Sequence, residues 1–338
     1  MENILFFDSN KEVKKFATTC PCKNCKYIFF SDSFSEISLK KLKPYLDARV
    51  ISVFTHSSLI QNEKLDLFKN LQFIATRSTG FNHIDLNYCK KRNILVSNVP
   101  QYGAITVAEF AFGLILDLER KIMQANQDMR CNLIKMPDYT GFDLADKTIG
   151  IIGTGSIGQH MIKIAQGFNM KVLAYDIFQQ KNLKKFYVSN LNDLYKNSDI
   201  ISLHIPSTKE NYHLLDKKAF QKMKKDVLII NTARGDLIDS FALYEAIMKH
   251  KVAGAGLDVV ENEDFLLRDE AETSPNLTNQ DFLLTSTINL KLMQLKNVII
   301  TPHIAFNSFD AIRRINATTC QNIQNFLKGT PINLQSVR

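Results

Sequence analysis

The chain has 338 residues, 45% hydrophobic and 22% charged, which suffices for a substantial core in each of two domains of ordinary size. Its formal net charge of +8 comes largely from scattered lysines, as in Lys14-Lys15 and Lys40-Lys41, with no arginine-rich or aromatic-interleaved stripe, which argues against a nucleic-acid partner. No stretch is apolar for long enough to cross a bilayer, so no membrane partner is expected, and the run at residues 4–7 lacks a basic flank and reads as a first strand rather than a signal peptide.

Further apolar runs at residues 27–30, 50–54 and 72–76 are separated by polar stretches of helical length at 38–46 and 61–68. This alternation predicts a parallel sheet covered on both faces. Ahead of the second run stand Cys20, Cys22 and Cys25, three of the six cysteines. No Cys-x-x-Cys or histidine pair at structural-site spacing follows to complete a zinc site, and a reducing, cytoplasmic compartment disfavours disulfides. The expectation is therefore a surface loop between a helix and a strand, with no metal. A short run at 94–97 ends at Pro100. Val107, Phe110, Ala111, Leu114, Ile115 and Leu118 then recur at helical spacing over 105–124, and a helix this apolar is expected to pack between domains or subunits.

The most specific pattern in the chain comes next. Residues 148–152 read as a buried strand, Gly153, Gly155 and Gly158 form a Gly-x-Gly-x-x-Gly turn, a helix runs to about Phe168, and a second strand at 171–175 ends at Asp176. The glycines allow a sharp turn, close approach of backbone to a pyrophosphate and tight helix–sheet packing, while the helix start offers free N–H groups to phosphate. Asp176 stands where a carboxylate accepts from ribose hydroxyls and repels a 2′-phosphate, which favours NAD over NADP. Further strands are expected at 199–204, 227–231, 254–258 and 297–301, with helices at 191–196, 217–224, 240–250 and finally 309–327. The polar, long stretch at 261–295 reads as an extended active-site flap with some helix.

Four more constellations fall at strand ends, where an open α/β sheet presents its ligands. They are Asn231-Thr-Ala-Arg-Gly-Asp236, Gly256-Leu-Asp-Val-Val-Glu-Asn-Glu263, Thr301-Pro-His-Ile-Ala-Phe306 and Arg77-Ser-Thr-Gly-Phe-Asn-His-Ile-Asp85. Together with the glycine loop, and in this order, they resemble the D-isomer-specific 2-hydroxyacid dehydrogenases over nearly the whole chain, and within them the NAD-dependent D-lactate dehydrogenases. The fold this implies is α/β with two doubly wound parallel-sheet domains. A Rossmann NAD domain, residues 102–304, is inserted in a discontinuous flavodoxin-like substrate domain, residues 1–101 and 305–338, and the two are expected to close on the substrate.

The chemistry explains the residue types. Reducing a 2-keto acid such as pyruvate needs a cation for its carboxylate and carbonyl, a hydride donor and a proton donor. Arg234 offers a rigid fork of donors, His303 titrates near the working pH, and Glu263 can orient the imidazole and stabilise its cation. Glu261 and Asp264 are alternatives for that partner, while His83 and His204 are expected to be structural. The resemblance further implies that Thr79 and Gly80 hold the substrate carboxylate through their N–H groups, that the Tyr102 hydroxyl helps, and that Phe306 packs on the small side chain. Toward NAD it implies Ser156 and Ile157 at the pyrophosphate, Ile205, Pro206 and Asn211 on the adenosine side, Thr232 and Ala233 beside the nicotinamide ribose, and Asp258 at the carboxamide. A homodimer is implied as well. The 263–303 stretch is several residues longer than the family pattern, and the 54–58 loop does not align residue by residue. The alternatives are a relative acting on a bulkier 2-keto acid, a 3-phosphoglycerate dehydrogenase, which would want extra cations for the phosphate, and an NAD-sensing corepressor on the same scaffold. Glu263 disfavours a formate dehydrogenase, which has Gln there.

Overall fold

The computed structural model describes residues 2–18, 24–55, 57, 59, 63–263 and 280–336. Cys20 and Cys22, His56 and Ser58 of the 54–58 loop, Asp264 and the polar part of the expected flap lie outside the described residues. The chain divides into two compact units, Met1–Tyr102 with Ser308–Arg338, and Gly103–Asn307. Each contains one six-stranded sheet.

In the first unit, β1 (Glu2–Phe6), β2 (Cys25–Phe29), β3 (Val50–Val53), β4 (Phe73–Thr76) and β5 (Leu95–Ser97) run parallel in the order β2-β1-β3-β4-β5. The chain's last strand, β12 (Leu334–Gln335), adds antiparallel to β5, a pairing too short to leave a sequence period. β3 and β4 are buried along their whole length, as central parallel strands covered on both faces must be. Phe7, Phe34, Phe68 and Ile51 fill one side. On the other, the helix Phe309–Leu327 lays Ile323 and Phe326 on the sheet, and Phe326 stacks on Phe73 with ring centroids 4.4 Å apart. The helix expected at 38–46 is a single α turn, Leu39–Leu42, tightening into a 3-10 turn at Lys43–Tyr45, where Pro44 supplies no N–H. Asp85 caps a short helix, Leu86–Lys91, that periodicity did not predict.

The second sheet holds β6 (Thr148–Ile152), β7 (Lys171–Tyr175), β8 (Ile200–Leu203), β9 (Val227–Asn231), β10 (Val252–Leu257) and β11 (Val298–Ile300), all parallel. Their order is β7-β6-β8-β9-β10-β11. The direction of winding reverses between β6 and β8 here, and between β1 and β3 in the first sheet, and such a reversal opens a ligand crevice beyond the carboxyl ends of the strands.

One expected helix differs in its bounds. The helix foreseen at 105–124 is Ala104–Arg120, stopped by Lys121 in the left-handed region (φ 53°, ψ 40°) before a second helix, Ile122–Arg130. Its apolar stripe, including Ala111, Leu114 and Ile115, is buried against the second unit's own sheet and the helix Ser156–Gly167. Gly256 admits the close approach, since a Cβ there would lie 2.9 Å from Leu114 Cβ. The described end of the expected flap is the helix Gln280–Met293, which buries Ile288 and Leu292. Among the described residues no helix is long and apolar enough to cross a membrane.

Candidate active site

At the β6 end the backbone itself makes the site. Gly153 has φ +98°, and a Cβ there would lie 2.4 Å from the His204 carbonyl oxygen, while one on Gly158 would lie 2.0 Å from the Gly153 carbonyl oxygen. Gly155 differs, because a Cβ would meet nothing within 4 Å. It caps the helix Ser156–Gly167 without a side-chain hydrogen bond, so open space coincides with the N–H groups of Ser156 and Ile157, which have no acceptor among the described residues. Asp176 stands one residue past β7. Its Oδ2 accepts from the Thr154 N–H (2.6 Å) and hydroxyl (3.0 Å), and its Oδ1 from the Phe178 N–H (2.8 Å), so it is tied to the glycine loop. After β8, Asn211 folds the loop containing Ile205 and Pro206 on itself, donating to the Pro206 carbonyl (2.7 Å) and accepting from the Thr208 N–H (2.7 Å).

At the β9–β11 end side chains take over. The Asn231 carboxamide accepts from the Ala233 N–H (3.0 Å) and donates to the Arg234 carbonyl (2.7 Å), closing a tight turn around Thr232 and Ala233. Arg234 Nη1 donates to the Ala233 carbonyl (2.5 Å), and the rest of its fork has no hydrogen-bond acceptor among the described residues. A Cβ on Gly235 would lie 2.1 Å from the Val260 carbonyl oxygen, so the Arg234 turn sits directly against the segment leading to Glu263.

Asp258, 1% exposed, stands one residue past β10 and organises the turn after β11. Its carboxylate accepts from the Thr301 hydroxyl (2.6 Å) and from the N–H groups of Ile304 (2.9 Å) and Ala305 (2.8 Å), while its carbonyl accepts from the His303 N–H (2.9 Å). Burial raises the Asp258 pKa against those hydrogen bonds. The turn holds His303 at φ +52°, a conformation costing an L-residue about 1–2 kcal/mol. His303 Nδ1 then meets Glu263 Oε1 at 2.8 Å. That hydrogen bond raises the imidazole pKa above its ordinary value, with the charges of Glu263 and Asp258 adding to it, and burial and Arg234 opposing.

The two described acidic candidates separate. Glu261 accepts from the Tyr212 hydroxyl (2.8 Å) and pairs with His213 Nε2 (2.9 Å), leaving Glu263 to His303. His83 pairs with the Thr76 hydroxyl (3.0 Å) and His204 with the Ser202 hydroxyl (2.8 Å), and burial lowers them to about 4 and about 3, so both are neutral near pH 7.

In the first unit, the turn after β4 has its carbonyls tied back: Asn98 Nδ2 donates to the Thr79 carbonyl (2.8 Å) and the Ser78 hydroxyl to that of Gly80 (2.6 Å). The N–H groups of Thr79 and Gly80 have no acceptor among the described residues. The Tyr102 carbonyl accepts from Arg314 Nε (2.6 Å). Beneath the turn lies Arg77, 2% exposed, donating to the Ser52 hydroxyl (3.0 Å) and the carbonyls of Phe7 (2.6 Å) and Asp8 (3.1 Å). Burial lowers its pKa to about 10, opposed by Asp8, so it stays charged. Asp8 Oδ2 in turn accepts from the Phe54 N–H (3.1 Å) and the Ser57 hydroxyl (2.5 Å). Sequence reasoning missed this Arg77–Asp8 brace under the loops after β1, β3 and β4, because its partners are far apart in the chain.

A family model described as D-isomer specific 2-hydroxyacid dehydrogenase, NAD binding domain, matches residues 112–305. The chain belongs to this family. It is 39% identical to the D-lactate dehydrogenase of Escherichia coli (strain K12) over 262 residues, 77% of each chain. It is also 39% identical to an aromatic 2-oxoacid reductase of Clostridium sporogenes over 273 residues, 79% of this chain and 80% of that one. The crystal structure of D-lactate dehydrogenase from Aquifex aeolicus complexed with NAD and lactic acid superposes with a TM-score of 0.81 at 35% identity, covering 97% of this chain and 96% of that one.

As a D-2-hydroxyacid dehydrogenase the protein uses NAD. Two observations show that the residues present fit this cofactor: the open cradle at Gly155, and the Thr232 hydroxyl, which is buried with no hydrogen-bond partner among the described residues.

Proposed function

We propose that this D-2-hydroxyacid dehydrogenase interconverts pyruvate and D-lactate. The observation that supports the catalytic assignment is the 2.8 Å pair between His303 Nδ1 and Glu263, with the imidazole pKa raised. With Nδ1 committed to Glu263, Nε2 is the nitrogen left for the substrate. In reduction the His303 cation donates its Nε2 proton to the carbonyl oxygen as that oxygen gains charge, and in oxidation neutral His303 takes the proton back from the hydroxyl. Arg234, with most of its fork unengaged, grips the carboxylate and polarises the carbonyl. Bound NADH supplies the hydride.

The same reading gives Thr79 and Gly80 the substrate carboxylate, with Tyr102 as a further donor and Phe306 against the small substituent. Ser156, Ile157, Ile205, Pro206, Asn211, Thr232, Ala233 and Asp176 serve NAD, and Asp258 reaches the carboxamide with the acceptor capacity that its three turn donors leave. A homodimer is part of this proposal, supported by the exposed Ile122, Met129, Leu133, Ile134 and Met136, and light scattering tests it.

The 39% identity to an aromatic 2-oxoacid reductase favours a second reading, in which the substrate is bulkier. The deciding experiment is a panel of pyruvate, hydroxypyruvate, 2-ketoisocaproate and phenylpyruvate with NADH, with chiral analysis of products. Highest kcat/KM for pyruvate and a D-product support the first reading; preference for phenylpyruvate moves the assignment to the second.

A further inference from the structure

Past Asp176 the chain does not simply leave β7. It turns through Ile177 and Phe178, makes a 3-10 turn at Lys181–Phe186, and returns so that Tyr187 forms a β-bridge with Ala174, with the Val188 N–H donating to the Ala174 carbonyl (3.0 Å). Leu183, buried, and Phe186 anchor the return in the core beneath the sheet. The Tyr187 ring therefore has a fixed place beside the strand end, and its hydroxyl lies 2.7 Å from the Thr154 hydroxyl.

The direction of the hydrogen bonds follows from counting protons. The Thr154 hydroxyl has one proton, and the Asp176 carboxylate can only accept it (3.0 Å). The bond between Thr154 and Tyr187 must then be donated by Tyr187, and the tyrosine oxygen is free to accept the Gln180 N–H (3.0 Å). A single chain results, from Gln180 N–H through Tyr187 and Thr154 to Asp176 Oδ2, each donor strengthening the next. Gln180 Nε2 closes the circuit on the Thr154 carbonyl (2.9 Å), and Thr154 is 0% exposed.

We propose that Thr154 and Tyr187 are specificity-determining positioning residues: their hydroxyl relay locks the Asp176 carboxylate in place and thereby sharpens the choice of NAD over NADP. A carboxylate fixed before binding loses little freedom when it accepts the ribose hydroxyls, and one that cannot turn away keeps its charge aimed at a 2′-phosphate. Only the acceptor capacity not used by Thr154 and Phe178 faces the nucleotide. The inference rests on the assignment of Asp176 to the adenosine ribose.

The test compares kcat/KM for NADH and NADPH, together with NADH affinity by fluorescence titration, in wild type, Thr154→Val, Thr154→Ser, Tyr187→Phe and Asp176→Ala. Thr154→Val keeps the shape and loses the hydroxyl, so the NADH preference should fall roughly three- to ten-fold, with kcat at saturating NADH nearly unchanged. Tyr187→Phe should shift it less and in the same direction, and Thr154→Ser should restore it. If Asp176→Ala erodes the preference while Thr154→Val and Tyr187→Phe leave it at the wild-type value, the relay is refuted and Asp176 stands. If Asp176→Ala leaves it unchanged, the ribose assignment fails and the relay with it. A Thr154→Val variant whose melting temperature and affinities for both cofactors fall together, without a change in their ratio, also refutes the proposal.

Discussion

The two ends of the second sheet's carboxyl edge are built from different materials. At β6–β7 the site is backbone: two glycines demanded by contacts of 2.0 and 2.4 Å, a helix start with open N–H groups, and one carboxylate held by its neighbours. At β9–β11 it is side-chain chemistry on three separate turns, with Asp258 under the His303 turn and Glu263 on the imidazole. In the proposed function the first end binds and the second turns over, so damage to each should read out differently.

The largest effect is expected from His303→Ala. Removing the proposed proton donor should lower kcat by roughly two to four orders of magnitude while NADH affinity, measured by fluorescence titration, stays near wild type. An equal loss of NADH affinity would dissolve the division between the two ends. Arg234→Lys comes next: a point charge in place of the fork should cost roughly ten- to a hundred-fold in kcat/KM for the keto acid, with the KM for NADH little moved.

Gly158→Ala probes the opposite end. The new Cβ collides with the Gly153 carbonyl, so the loop must shift, and NADH affinity should fall about ten-fold or more while His303 chemistry at saturating NADH is largely retained. If kcat falls and affinity does not, the loop does more than bind.

Glu263→Gln gives the smallest change at the optimum and the sharpest test of mechanism. Glu263 raises the His303 pKa, so the variant should lose the histidine proton at lower pH. Reduction, which needs the cation, should then decline at lower pH than in wild type, and oxidation, which needs the neutral ring, should begin at lower pH. Profiles of kcat/KM in both directions that coincide with wild type would remove Glu263 from the role.

How much of this was legible in the chain tracks the same contrast. The glycine loop could be read because its requirement is local: each glycine answers a backbone contact fixed by the strand–turn–helix it belongs to. The parallel strands were legible from apolar runs, and the helix Phe309–Leu327 emerged at its expected bounds. Lys121 hid the break in the long helix, since a lysine in the left-handed region leaves no glycine or proline signal.

Sequence alone thus determined the alternating α/β order, the dinucleotide turn and which residue types were available for acid–base work, because period and turn chemistry act over a few residues. It named Glu263 as the partner of the histidine, with Glu261 and Asp264 as alternatives. Only tertiary structure decided between the two described candidates, by giving Glu261 to Tyr212 and His213 and Glu263 to His303. Likewise Asp258 as the keystone of the His303 turn, the Arg77–Asp8 brace and the Tyr187–Thr154 relay depend on hydrogen bonds between residues 33 to 70 positions apart. No local rule specifies such pairings, because the sheet order that brings their strands together is set by packing the whole core.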